Sequence, residues 1–554
     1  MSRLTKLPAL AAAASLAAAS LVAASPSGVA AAGPVAPAAT SISWHRCPDA
    51  SLRAFGARCA FVTVPRDYAH PRGKKIKIAV SRVRHTVTKS KYQGVMLVNP
   101  GGPGGSGLGL SVLGPIISMD FRRKDAGGAY DWIGFDPRGV GASVPSVSCD
   151  PGYLGADRPD YVPATPALLR VWRARSQDYA NDCAKDAPGL LDHAKTTDTV
   201  RDMDRIRAAL GTSQINYYGF SYGTYLAEVY TKLFPSRMRR MVLDSNVDPR
   251  LVWYQANLSQ DTAFERNFGL FVTWIARHNF TYRLGTTAAV VRRRYFAERA
   301  ALIAAPINGV VGPDEWDDVF LSSGYAQFLW PDLAQVFAGW ANDRNGDPAV
   351  EAYLNADGPG DDNGLAMYLA TSCTDAAWKG HDWLADNWRT YYRAPFLTWA
   401  NAWFNQPCFS WRAKAGTPTR ITGAGVGNAL LVDETLDAAT PYAGSLYLRK
   451  IFRSSRLIAT VGGSSHAVSP SGNACVDNKI FNYLADGRLP RRRAGGGADV
   501  KCAALPRPSP TASNESFGPG TSLETLTTAA KSGDVTAGRL LVSRLILAAN
   551  RFSR

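Results

Sequence analysis

Histidine is scarce in this chain, with seven residues among 554. Any chemistry that needs an imidazole has few places to draw on. No C-x-x-C pair and no H-E-x-x-H segment occurs, so the usual zinc patterns are missing and no metal is expected. The glycine-rich stretch Asn99-Pro100-Gly101-Gly102-Pro103-Gly104-Gly105-Ser106-Gly107 lacks the Lys-Ser/Thr ending of a phosphate loop. Without that ending, no nucleotide or other cofactor is expected. The formal charge of +17 comes with no nucleic-acid-binding motif, and nucleic acid is not an expected partner. The apolar run at residues 7–24 is alanine-rich, preceded by Arg3 and Lys6 and followed by small residues. It reads as a secretory signal cleaved near Ala24 or at 30–32, leaving no transmembrane anchor. No cysteine lies in or just after it, which argues against a lipid anchor.

What is present is a serine in a telling context. The strand-like Ile215-Asn216-Tyr217-Tyr218 runs into Gly219-Phe220-Ser221-Tyr222-Gly223, which opens a helix-like segment at 224–230. A serine on a tight strand-to-helix turn holds its hydroxyl clear of the backbone, and glycines two residues to either side make room for the turn. Ser221 is therefore the candidate nucleophile. A serine needs a base and a group to orient that base. His466 sits in Gly462-Gly463-Ser464-Ser465-His466, just past the apolar run at 457–461. The other six histidines precede the serine or lie in helical and connecting segments. For the acid, the buried-strand run at 429–432 is followed by Asp433, Glu434 and then Asp437-Ala438-Ala439-Thr440-Pro441. Thr440 and Pro441 read as a helix N-cap and first helical residue, which leaves Asp437 on the loop as the preferred acid, with Asp433 and Glu434 as competitors. The order Ser, Asp, His differs from those of the other convergent serine triads. For the developing oxyanion, the strand at 95–98 leads into the glycine-rich loop. The backbone amide of Gly102, or of Gly101 as the close alternative, pairs with that of Tyr222 as the expected donors.

Strand-like runs at 60–64 and 75–80 read as an antiparallel opening pair. Those near 95, 130, 215, 240, 429 and 457 alternate with helices and imply a mostly parallel sheet with helices on both faces. The run at 199–210 presents Val200, Met203, Ile206 and Leu210 on one face, with Gly211 as its stop. Each candidate site residue falls at the carboxyl end of a strand, where ligands sit in open α/β sheets.

Together the segments at 99–107, 130–143, 217–223, 241–244, 436–441 and 487–490 make the chain resemble the secreted tripeptidyl aminopeptidase and proline iminopeptidase group of α/β-hydrolases. The resemblance spans about residues 45–502. It implies an α/β-hydrolase fold with an inserted helical cap, and a serine peptidase acting on peptides with free N-termini. Glu434, Ser465 and Ser245 stand where that group commonly has glycine. The implied layout is a signal and short linker or pro-segment at 1–39, core at 40–250 and 412–502, a cap at 251–411, and a basic linker and C-terminal helix at 503–554. With eight cysteines and an exported chain, short loops and the resemblance point to pairing in sequence order: Cys47 with Cys59, Cys149 with Cys183, Cys373 with Cys408, and Cys475 with Cys502.

The cap region is rich in tryptophan and tyrosine and reads as helical, its aromatics serving mostly as packing. An aminopeptidase must pair the substrate's ammonium with a carboxylate, for which Glu265 and Asp375 are candidates. From Arg488 onward there are eleven Lys/Arg against four Asp/Glu. The segment at 534–550 reads as a basic amphipathic helix, either a solvated tail or a weak tether to anionic cell-surface polymers.

Overall fold

In the central strands, consecutive residues enter opposite cores. The computed structural model describes residues 42–119, 124–357, 360–467, 469–510 and 521–550; the expected signal and pro-segment lie outside them. Ten strands form one sheet in the order β1-β2-β3-β5-β4-β6-β7-β8-β9-β10. They are β1 His45–Arg46, β2 Arg58–Pro65, β3 Lys75–Val83, β4 Val95–Asn99, β5 Asp131–Phe135, β6 Ile215–Phe220, β7 Met238–Asp244, β8 Ala429–Glu434, β9 Arg456–Val461 and β10 Val500–Ala503. The first three strands pair antiparallel, and β3 is also antiparallel to β5. From β5 through β10 every pairing is parallel.

Burial explains the apolar runs. Val95, Leu97, Tyr217, Leu243 and Leu431 enter one core, and their neighbours Met96, Val98, Tyr218, Val242 and Leu430 enter the other. A strand covered on both sides has no polar face to alternate with. The first core is covered by the helices Thr196–Ala209 and Tyr222–Leu233. The expected contacts Val200, Met203 and Ile206 are buried there, while Leu210 caps the helix end. The second core is covered by Leu113–Met119, Ala474–Asp486, Leu523–Lys531 and Val535–Asn550.

Between β7 and β8 the named elements are all helical, from Tyr254–Arg277 to Thr398–Asn405. Aromatic packing holds this cap together: the Tyr295 ring lies 4.7 Å from Phe268, 5.3 Å from Phe320 and 5.7 Å from Trp316. The four disulfides join Cys47–Cys59, Cys149–Cys183, Cys373–Cys408 and Cys475–Cys502. Among the described residues no helix is long and apolar enough to cross a membrane.

Two local expectations are corrected. The helix after β8 is Ala443–Ile451, with Tyr442 rather than Thr440 at its N-cap, because the Thr440 hydroxyl is committed elsewhere, as described below. The C-terminal segment is not a solvated tail. Leu541, Val542 and Ile546 are buried in the second core, and two of the helix's cations turn to protein partners: Arg544 donates to the Thr521 carbonyl and Arg539 approaches Asp477.

Candidate active site

Ser221 occupies the turn between β6 and the helix Tyr222–Leu233 with φ 53° and ψ −126°, a left-handed φ that few side chains adopt. Its flanking glycines are there for space. A Cβ on Gly219 would lie 2.7 Å from the Gly223 carbonyl oxygen, and one on Gly223 would lie 2.7 Å from the Asn99 carbonyl oxygen. The Ser221 amide donates to the Asp244 carbonyl at the end of β7 at 3.0 Å, which ties the turn to the neighbouring strand.

Asp437 and His466 lie on the loops after β8 and β9 and meet directly. The imidazole Nδ1 is 2.8 Å from Asp437 Oδ2 and 3.1 Å from Oδ1. The carboxylate is fully buried and accepts further hydrogen bonds from the amides of Ala439 and Thr440 at 2.9 and 3.0 Å and from the Thr440 hydroxyl at 3.0 Å. This second commitment is why Thr440 does not cap the next helix. The opposite ring nitrogen, His466 Nε2, is buried and makes no hydrogen bond, so the Ser221 hydroxyl and the imidazole are not joined here.

The competing acids have other partners. Asp433 accepts from the Ser445 hydroxyl at 2.5 Å, and burial beside Asp437 pushes its carboxyl well above the usual range. Glu434 accepts from the Ser465 amide at 2.5 Å, and burial raises it to about 8. Asp244 accepts from both the amide and hydroxyl of Ser469; burial raises it to about 6. These acids hold the loops behind the Asp437–His466 pair.

Cap residues that sequence reasoning missed clamp the same loops. The buried Asn267 carboxamide donates to the carbonyls of Leu436 at 3.0 Å, Ser464 at 3.1 Å and Gly324 at 3.2 Å, spanning the acid loop, the histidine loop and the cap. Arg266 Nη2 reaches the Asp437 carbonyl at 3.0 Å. The His466 amide donates to the Tyr325 carbonyl at 2.7 Å, and the two rings meet edge-on with centroids 5.7 Å apart. No local motif marks these residues, because each contact joins positions far apart in the chain.

A cavity of about 120 Å³ opens on Ser221, lined also by Gly102, Tyr222, Trp253, Asn257 and Tyr368. Asp248 is the acidic side chain on its wall, paired with Arg250 at 2.5 Å. Glu265 and Asp375 do not line it. Glu265 pairs with Arg292 at 2.6 Å and accepts from the Phe396 amide. Asp375 is buried behind Trp253, accepting from Thr196 and from the Trp253 ring nitrogen. Gly102 lines the cavity, but its amide already donates, to Asn550 Oδ1 at 2.9 Å. The alternative, Gly101, donates to Asn99 Oδ1 at 3.0 Å. Among the described residues no group of three or more His, Cys, Asp or Glu side chains is arranged to hold a metal ion.

Residues 94–467 match the alpha/beta hydrolase fold family. The tripeptidyl aminopeptidase of Streptomyces lividans is 41% identical over 483 residues, covering 85% of this chain and 88% of that protein. Carboxylesterase B of Mycobacterium tuberculosis is 32% identical over 485 residues, with 81% and 88% covered. Serine protease Hip1 of the same species is 29% identical over 461 residues, with 78% and 86% covered.

Proposed function

Since this chain belongs to the alpha/beta hydrolase fold family, we propose that it is an exported serine aminopeptidase that releases short peptides, of the tripeptidyl type, from free N-termini. The observation that carries the reading is the buried Asp437–His466 pair on the same strand edge as a serine with φ 53° that opens onto a cavity. In this reading Ser221 Oγ attacks the scissile carbonyl carbon, and its proton passes to His466 Nε2. Asp437 holds the ring in the tautomer that leaves Nε2 free to accept, and stabilises the imidazolium that forms. The amides of Gly102 and Tyr222 receive the oxyanion. Collapse breaks the C–N bond, and the departing amine takes the proton back from His466. Water then repeats the sequence on the acyl-enzyme and frees the released peptide's carboxylate. The missing Ser221–His466 hydrogen bond is completed when substrate enters, as catalytic contacts commonly tighten in the bound complex.

The peptidase assignment draws on the tripeptidyl aminopeptidase relative. Asp248, the acid that reaches the cavity, is the carboxylate we assign to the substrate ammonium. Export is supported by the amino-terminal pattern and four disulfides, which persist in oxidising compartments. A second reading, carboxylester hydrolysis, is favoured by the carboxylesterase relative and by the apolar share of the cavity wall, including Val247, Leu251 and Trp253. Chromogenic substrates of one to three residues, with free or blocked N-termini, beside a simple ester, separate the two. The aminopeptidase reading expects cleavage to be lost on blocking the amine, and Asp248→Asn to raise KM for the free-amine substrates alone. Equal turnover of free and blocked substrates refutes it. Ser221→Ala abolishes hydrolysis of every substrate in the panel and labelling by a fluorophosphonate; residual activity refutes the nucleophile.

A further inference from the structure

The last turn of the helix Val535–Asn550 ends against the glycine-rich loop beside the candidate site. Asn550 is 1% exposed. Its Oδ1 accepts the Gly102 N–H at 2.9 Å, while its Nδ2 donates to the carbonyls of Pro100 and Ile546, each at 2.8 Å. A Cβ built on Gly101 lies 2.7 Å from Asn550 Oδ1 and also 2.7 Å from Ser221 Cβ, so the carboxamide oxygen and the serine flank the same point. The neighbouring residue packs just as closely: a Cβ on Gly105 would lie 2.6 Å from Ala549 Cβ. The helix is held in place by Leu541, Val542 and Ile546 in the second core and by Gly538 against Ile116.

The chemistry of this contact is that of a substrate. A carboxamide oxygen is a planar carbonyl acceptor of the same kind as the scissile group of a peptide, and an amide N–H has a single hydrogen to give. While Asn550 holds the Gly102 N–H, that donor is not available to an oxyanion. The contact also forms a partition. Gly102 lines the 120 Å³ cavity at Ser221. Asn550 lines a second cavity of about 200 Å³ with Tyr325, Leu329, Arg544 and Leu547. The Gly102–Asn550 hydrogen bond joins the walls of the two.

We propose that the C-terminal helix is a built-in plug: the Asn550 carboxamide occupies the oxyanion amide of Gly102 as a substrate mimic, and acylation of Ser221 proceeds only when it is displaced. This inference rests on the assignment of Ser221 as nucleophile and of Gly102 as oxyanion donor. It assigns Asn550 an inhibitory role rather than a supporting one, and the two roles differ in sign.

The test compares the full-length protein with Asn550→Ala and Asn550→Leu, following the rate of fluorophosphonate labelling and kcat/KM on the best chromogenic substrate, with thermal melting as a check on folding. Removing the acceptor in Asn550→Ala frees the amide and raises both rates, by about three- to tenfold for one net hydrogen bond. Asn550→Leu removes the acceptor while keeping the side chain's shape, and both rates rise in the same way. Both variants faster than wild type support the plug. If both variants are slower, Asn550 supports the oxyanion loop and the proposal is overturned; equal rates in all three proteins also overturn it. If Asn550→Ala fails to fold, Asn550→Leu labelling at or below the wild-type rate overturns it alone. Absence of labelling in every form, wild type included, removes Ser221 as nucleophile, an outcome distinct from failure of the plug.

Discussion

Asn267→Ala tests whether the cap positions the loops of Asp437 and His466 or merely covers them. The Asn267 carboxamide has two N–H bonds to give and three carbonyls within reach, on Leu436, Ser464 and Gly324. It therefore makes two full hydrogen bonds with one of them shared. Truncation removes both and leaves buried carbonyls short of a partner. At about 1 to 1.5 kcal/mol each, this costs about 2 to 3 kcal/mol of stability. The loops released are those carrying Asp437 and His466. A misplacement of about 1 Å in a catalytic group costs about a hundredfold in rate, so kcat is expected to fall between tenfold and a hundredfold. Asn267 does not line the cavity at Ser221, so KM should stay within about twofold, because uniform binding is untouched. Urea unfolding gives the stability change; initial rates on an ester and on a free-amine peptide give the kinetic split. A variant that loses the predicted stability but keeps wild-type kcat shows that the loops hold their geometry without the clamp, and refutes the reasoning. A variant changed mainly in KM refutes it too.

Gly223→Ala places a methyl group 2.7 Å from the Asn99 carbonyl oxygen, closer than packing allows, so the turn must shift. Activity should be lost together with fluorophosphonate labelling, and retained wild-type labelling contradicts the spacing argument. Glu434 is raised from 4.5 to about 8 by burial; the folded protein keeps a proton there that the unfolded chain has already released. Its contribution to stability is present below about 4.5 and is lost as pH rises toward 8, at about 1.4 kcal/mol per unit of displacement. Urea midpoints measured from pH 4.5 to 8 should decline less steeply in Glu434→Gln, whose amide oxygen can still accept from Ser465, and an unchanged slope rejects the assignment. The disulfide Cys475–Cys502 closes 27 residues. Replacing both cysteines with serine should cost about 3.6 kcal/mol from chain entropy, read by urea unfolding, and a loss under about 1 kcal/mol contradicts that account.

Much of this was legible because the constraints were local. The serine turn needs small residues at two fixed offsets, a strand before it and a helix after it, and all of those are neighbours in sequence. The two-sided burial of β4, β6, β7 and β8 writes itself as unbroken apolar runs. Thr440 shows the limit of such reading. Thr-Pro is a good helix start, but its hydroxyl had a stronger claim from Asp437 three residues back, and the helix began later. Asn267, Tyr325 and Asn550 could not be read at all. The Asn267 clamp spans 169 and 197 positions and the Asn550 contact spans 448, so no window of sequence holds both partners. The apolar face of the last helix was visible; what it packs against was not. That Glu265 and Asp375 do not line the cavity at Ser221 was hidden for the same reason. Their partners Arg292, Thr196 and Trp253 are supplied by the fold.

The contacts at the strand edge also imply that specificity and reactivity in this chain are not separable by region. The core supplies Ser221, Asp437 and His466. The cap holds the backbone of both loops through Asn267, Arg266 and the Tyr325 carbonyl. The cap in turn is packed by rings around Tyr295 and Phe268, the latter next in sequence to Asn267. A cap exchanged to alter the substrate pocket therefore also alters the loops that carry Asp437 and His466, unless the exchange keeps an asparagine at 267 and a carbonyl where Tyr325 presents one. The C-terminal helix adds a third claim on the same few ångströms through Gly102. Substitutions that reshape the cavity wall alone, at Val247, Leu251 or Trp253, touch none of these hydrogen bonds except the one from the Trp253 ring to Asp375. Val247 and Leu251 are thus the positions at which substrate preference can change while kcat on a small ester stays near its original value.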